Sequence, residues 1–202
     1  DFSKPTVLRN APDVATGNLL SVETNGKYVN IEGFTLINKS SSGGTAMTAS
    51  TGSNGRLTLK NCAFRMNQTG MDISSTENQG KILVYNTLFA DGGTGMNRAD
   101  NKTTVVNATF ANNKIADMTF AGTTPAVYNS VSWNNATNNM FYDNDESQKV
   151  YYNEIFDLSG TTPAENNADI YVGPNFVDPL NENPELRNYR IRPVSYPHLR
   201  AH

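Results

Sequence analysis

Four stretches of this chain repeat one pattern: NCAFRMNQTGMDIS from Asn61, NTLFADGGTGMNR from Asn86, NATFANNKIADMT from Asn107 and NSVSWNNATNNMF from Asn129. Self-similarity at such a period is the mark of a repeat architecture, and it limits the possible folds more than any local propensity does. Taking the residue before each small-x-Phe unit as an anchor gives Gly33, Asn61, Asn86, Asn107, Asn129 and Asn153, spaced 28, 25, 21, 22 and 24 residues. Short runs of β-branched and apolar residues precede the anchors, and their alternation puts Leu59, Val84, Val105, Val127 and Tyr151 on one face. Three residues after the anchors come Leu36, Phe64, Phe89, Phe110 and Phe156, interrupted at Ser132 with Trp133 one place late. Met47, Met71, Met96, Met118 and Met140 complete a third set, spaced 24, 25, 22 and 22 residues.

Each unit is too short to bury its apolar residues alone, and Gly/Asn turns separate its strands with no helical period between them. Stacking solves the problem. If each unit is one turn of a coil of parallel strands, like residues lie over one another at about 4.8 Å and form internal Phe, aliphatic and Met columns. The expected fold is therefore all-β, a single-stranded right-handed parallel β-helix (β-solenoid) of about six to seven coils with a C-terminal extended closing segment. The 28 asparagines fit it. At a bend an Asn takes the left-handed conformation, and stacked amides hydrogen-bond up the column. Leu19, Leu20 and Val22 read as part of an earlier coil, so the chain is expected to be a piece of a longer protein.

Charge removes several function classes. A net charge of −3 and a pI near 5.4, with no long basic run, lack the footprint of a nucleic-acid binder. No apolar run approaches the roughly 18 residues of a membrane span, so no membrane insertion is expected. Cys62 is the only cysteine, and the two histidines, His198 and His202, lie at the extreme end. A His-based triad, a His-ligated metal or a thiolate cluster is thereby excluded from the repeats. The sequons at Asn38, Asn67, Asn101, Asn107 and Asn135 are what so many Asn and Thr produce by chance.

The repeat N-x-x-F…G-x-x-I resembles bacterial secreted or surface proteins with right-handed parallel β-helices, of the pectate-lyase-like superfamily, over residues 28 to 160. Downstream, ADIYVGPNFVDPLNENPELRNYRIRP resembles the closing segment of such proteins, with Gly173 near where they often carry Asp. The resemblance implies residues 1–160 as coils, 161–193 as the closing segment of the same domain, and an extracellular or bacterial cell-surface location. The last residues, VSYPHLRAH, depart from the family's usual Gly-Ser-Pro-Ala-like continuation and resemble translated adaptor sequence at the end of a metagenomic gene. Residues 194–202 are accordingly expected to be non-native or disordered.

Three functions remain open. In β-helix lyases generally a Lys or Arg base abstracts the proton α to a uronate carboxylate, and Ca²⁺ or a cationic side chain steadies the enolate. Lys60, Arg65, Asp72 and Arg98 are the residues such chemistry would use, although one carboxylate makes a poor Ca²⁺ site and each also reads as solvated surface charge. Asp143, Asp145 and Glu146 have the oxygen-rich look of a weak Ca²⁺ loop, without the Gly and distal Glu of an EF-hand; otherwise no cofactor is expected. The residues before the anchors, Tyr85, Tyr128 and Tyr152, with Trp133 and Tyr142 nearby, could form an aromatic platform for sugar rings or simply cover the sheet. The leading expectation is non-catalytic, adhesin-like binding of polysaccharide or host glycan. A uronate lyase and a structural stalk of a larger surface protein are the alternatives.

Overall fold

The computed structural model of the chain describes residues 6–9, 17–39, 44–76, 80–123, 125–135, 150–151, 154–155, 168–169 and 176–191. Those up to residue 169 form an all-β parallel solenoid whose strands stack into three sheets. The pre-anchor sheet contains β3 (Tyr28–Glu32), β6 (Arg56–Lys60), β9 (Lys81–Tyr85), β12 (Thr103–Val106), β15 (Ala126–Tyr128) and β17 (Val150–Tyr151). The post-anchor sheet contains β1 (Thr6–Arg9), β4 (Phe34–Ile37), β7 (Ala63–Arg65), β10 (Leu88–Ala90), β13 (Thr109–Ala111), β16 (Val131–Trp133), β18 (Glu154–Ile155) and β19 (Ala168–Asp169). The methionine sheet contains β2 (Leu20–Glu23), β5 (Thr45–Thr51), β8 (Thr69–Thr76), β11 (Thr94–Ala99) and β14 (Ala116–Phe120). Every pairing in these three sheets is parallel.

The expected columns are present. Met47 pairs with Met71, Met71 with Met96 and Met96 with Met118, and all four are fully buried. Phe64, Phe89 and Phe110 stack with ring centroids 4.9 Å apart and planes within 10°. That spacing is the strand separation itself, so each ring offers its face to the next coil. Leu59, Val84, Val105 and Val127 fill the third side of the core. Met140 lies outside the described residues.

The anchors turn the first corner. Gly33 has φ 75°, and Asn61, Asn86, Asn107 and Asn129 have φ between 48° and 55°. These are left-handed values, which Asn tolerates better than other residues with side chains. Asn107 Nδ2 donates to Asn86 Oδ1 and Asn86 Nδ2 to Asn61 Oδ1, both at 3.2 Å, and Asn61 Nδ2 ends the ladder on Glu32 Oε1 at 2.8 Å. Met66, Asp91, Asn112 and Asn134 turn the second corner with φ between 51° and 61°.

Immediately after that corner stands a second set of asparagines, pointing inward. Asn67, Asn113 and Asn135 donate to the carbonyls of Leu36, Phe89 and Phe110 in the preceding coil, at 3.1–3.2 Å. Their side-chain oxygens accept from the backbone N–H of Asn38, Gly92 and Asn113. Each amide thus bridges one coil to the next where the strands break, satisfying buried backbone groups that no ladder reaches. This use also buries the sequons at Asn38 and Asn67.

Two sequence expectations need correction. Four coils, not six to seven, carry all three strands among the described residues: 28–51, 56–76, 81–99 and 103–120. Beyond them β15 to β19 extend only the pre- and post-anchor sheets, and before them β1 and β2 supply the earlier coil. The last register is also one residue earlier than Asn153 implies. Val150 pairs with Val127, Tyr151 with Tyr128 and Ile155 with Ser132, so Val150, Tyr151 and Ile155 take the places expected for Tyr151, Tyr152 and Phe156. Strand pairing rather than residue identity decides register, and a one-residue slip exchanges the faces.

The described residues 176–191 belong to a second compact unit. In it β20 (Phe176–Asp178) pairs antiparallel with β21 (Asn188–Ile191), around a 3₁₀ turn over Pro184–Leu186 capped by Asn183. Phe176 meets Tyr189 edge to face at 5.6 Å. Residues 194–202 lie outside the described residues.

Candidate functional site

Alternation along β3, β6, β9 and β12 turns Val29, Leu57, Ile82 and Thr103, and then Ile31, Leu59, Val84 and Val105, toward the core. The residues between them form three outward columns on the pre-anchor sheet. The first is Tyr28, Arg56, Lys81 and, just ahead of β12, Lys102. The second is Asn30, Thr58, Leu83, Thr104 and Ala126. The third is Glu32, Lys60, Tyr85, Val106 and Tyr128, continued in register by Tyr151. The first and third columns stand four residues apart, about 13 Å along the strands. Between them runs a floor of mostly short side chains.

Tyr85 and Tyr128 are half-buried and share the third column, with Val106 on the rung between. Trp133 is half-buried but belongs to the post-anchor sheet, registered with Ala111, and so does not join the tyrosines. Tyr142 and Tyr152 lie outside the described residues, as do Asp143, Asp145 and Glu146. Among the described residues no three His, Cys, Asp or Glu side chains group as a metal site.

The four charges considered for a lyase fall on three different sheets. Lys60, on the pre-anchor sheet, is exposed and 3.5 Å from Glu32. Arg65, on the post-anchor sheet, is mostly buried and holds Asp91 at 3.2 Å. Only Asp72 and Arg98, on the methionine sheet, come together: Arg98 Nε donates to Oδ1 at 3.1 Å and Nη2 to Oδ2 at 2.9 Å. Asn97 Nδ2 adds a bond to Oδ1 at 2.8 Å, and Thr119 Oγ1 in turn donates to Asn97 Oδ1 at 2.5 Å. Arg98 reaches Asp72 from a bulge, with φ 60° where the pairing of β11 with β14 shifts. Both carboxylate oxygens are therefore engaged by a fork-shaped partner, and using Arg98 as a base or Asp72 to hold a cation would first have to break that pair.

The first column was missed in the sequence. Arg56, Lys81 and Lys102 are 25 and 21 residues apart, which is the coil period, so the fold assembles a basic stripe from cations that are scattered in linear order. Arg56 lies over the Tyr28 ring at 4.3 Å from its centroid, and Tyr28 is 69 % exposed. Lys102 Nζ donates to the Thr76 carbonyl at 2.9 Å, and Asp100 stands at its foot, accepting from Lys102 N at 3.0 Å. Neither Arg56 nor Lys81 has a carboxylate partner among the described residues, and Arg56 Nε is buried without a hydrogen bond.

No family model matches the chain, and neither a curated protein nor a solved structure does.

Proposed function

We propose that this chain is a non-catalytic carbohydrate-recognition module, presented outside the cell or on a bacterial cell surface as in the β-helix proteins its repeat resembles. The observation that carries the reading is the third outward column, where Tyr85 and Tyr128 face out two rungs, about 10 Å, apart beside a shallow floor. Tyrosine offers an apolar face for a sugar ring and a hydroxyl at its rim, and Asn30, Thr58 and Thr104 supply hydrogen-bonding edges along the floor. The dispersal of Lys60, Arg65 and Asp72 over three sheets, each in an ion pair, favours binding over lyase chemistry.

A glycan array tests this, with Tyr85→Ala/Tyr128→Ala as the paired variant. Binding that falls about tenfold or more in the variant supports the reading, since loss of stacked aromatic surface costs on the order of 1–3 kcal/mol. An array without a ligand would leave a structural stalk. Ultraviolet absorbance from unsaturated product on uronate polymers, abolished by Lys60→Ala or Arg98→Ala, would replace the reading with a lyase.

A further inference from the structure

The stripe Tyr28–Arg56–Lys81–Lys102 has no role in a purely aromatic platform, yet it occupies the same face. Like charges on neighbouring strands repel, and a sheet surface ordinarily alternates signs across rungs. Here Arg56 and Lys81 are direct register partners and Lys102 follows one rung on. Arg56 and Lys81 make no ion pair with a described residue, while Asp100 accepts from the backbone N–H of Lys102 and Lys102 Nζ is held by the Thr76 carbonyl. The third column of the same face handles charge differently, since Lys60 and Glu32 sit on adjacent rungs and pair with each other. The guanidinium of Arg56 is steadied by the Tyr28 ring instead of a carboxylate, so its charge is positioned but not neutralised.

We propose that this stripe is an anion-binding track and that the ligand is an acidic glycan, a linear polymer carrying carboxylate or sulfate groups. Its charges would lie along the solenoid axis against Arg56 and Lys81, while its rings rest on the floor toward Tyr85. The proposal deepens the carbohydrate reading of this face and rests on it. Cations repeating at about 4.8 Å suit a chain with closely spaced single charges, and the Arg56 fork suits an oxyanion. A nucleic acid fits less well: strand-binding sites use successive aromatic platforms in long basic grooves, and this stripe has one exposed aromatic and three cations.

The test compares binding of dextran sulfate, polygalacturonate, unsubstituted dextran and single-stranded DNA to the full chain. The variants are Arg56→Gln/Lys81→Gln and, because Arg56 is partly buried, Lys81→Glu alone. Lys114→Gln serves as a control that removes an exposed cation just after the second corner, away from this face. The expected result is binding of at least one acidic glycan, weakening with salt, reduced about tenfold by Arg56→Gln/Lys81→Gln and several-fold by Lys81→Glu, and unchanged by Lys114→Gln. Preference for sulfate or carboxylate distinguishes the two sources of the anion. Acidic and neutral polymers binding alike, both indifferent to Lys81→Glu, would overturn the track and leave the carbohydrate reading intact. Tighter binding of DNA than of either acidic glycan would overturn it in favour of a nucleic-acid surface. No polymer binding at all would remove both.

Discussion

The break in the phenylalanine column at Ser132 makes a quantitative test of the packing rule. A Cβ added to Gly70 would meet the Gly95 carbonyl oxygen at 2.5 Å and Phe89 Cδ1 of the next coil at 3.1 Å, and one added to Gly95 would meet the Asp117 carbonyl oxygen at 2.5 Å and Phe110 Cδ1 at 2.8 Å. The glycines before Met71 and Met96 therefore make room for both the strand and the ring of the next coil. Asp117 holds the same register place in the following coil, where the residue above is Ser132, and its Oδ2 accepts from Ser132 Oγ at 2.9 Å in a fully buried position. Small beneath large has been exchanged for large beneath small. Ser132→Phe alone should drive a ring into the carboxylate and take away one of its donors, costing about 3 kcal/mol from overpacking and a lost bond to a charged group. Asp117→Gly alone should leave a void and a freer backbone, costing about 2 kcal/mol. Made together they restore the Phe-over-Gly pair of the neighbouring coils, with a new ring stacking on Phe110. The double variant should then lie within about 1 kcal/mol of the parent, a coupling of about 4 kcal/mol, above the usual range because one group occupies the other's space. Urea unfolding followed by Trp133 fluorescence measures all four corners of the cycle. A double variant destabilised by the sum of the singles, about 5 kcal/mol, would refute the rule.

The remaining predictions use the other columns. Burial raises the thiol pKa of Cys62 above its ordinary value, against smaller lowering contributions from backbone hydrogen bonds of Phe34, Lys60 and Gly33. The fold thus favours the protonated form, so this contribution to stability is complete below the unfolded thiol pKa of about 8.5 and is lost as pH rises through the folded value. Native protein should alkylate slowly at pH 8, and Cys62→Thr should remove the alkaline decline. That substitution should cost no more than about 1 kcal/mol, because Thr87 and Ser130 hold the same place in other coils and donate to the carbonyls of Tyr85 and Tyr128 at 2.9 Å. The two asparagine sets should separate in thermal melts. Asn67→Ala removes the buried partners of Asn38 N–H and the Leu36 carbonyl and should cost about 3 kcal/mol, whereas Asn86→Gly, at an exposed corner with φ 48°, should stay within about 1 kcal/mol.

The coil, its three faces and the methionine column could be read from the sequence because period and alternation are properties of the chain itself. The anchors' left-handed backbone was readable for the same reason, since Asn at a bend has few other uses. The inward asparagines were visible six places after the anchors, at Asn67, Asn113 and Asn135, but identity alone does not tell an amide that turns inward from one that lies in solvent. The Gly–Phe and Asp–Ser pairing went unread because it joins residues of consecutive coils, Gly95 with Phe110 and Asp117 with Ser132, and depends on which ring overhangs which strand. The last register failed where the signal was a single Asn. Asn153 reads as an anchor in the sequence, while the ladder places Tyr151 against Tyr128.

Surface chemistry follows the same rule as the core, and this decides where function should be sought. In a solenoid, residues one period apart become neighbours, so a surface feature is written as a comb through the sequence and never as a run. Judged by runs, this chain has no basic segment; judged at the coil spacing, Arg56, Lys81 and Lys102 form one. The same comb separates Lys60 from Arg65, five residues apart in the chain but on different sheets, and joins Asp72 to Arg98 across 26 residues. Inserting one residue into the turn at Ser53 should leave the strands after it intact, because a corner absorbs an added residue at little entropic cost. Inserting one within β6, between Leu57 and Leu59, would instead put its two halves out of phase, so that either Lys60 turns inward or Arg56 leaves its place in line with Lys81. A turn insertion that abolished polymer binding while the melt stayed unchanged would mean that the binding surface is not the sheet face at all.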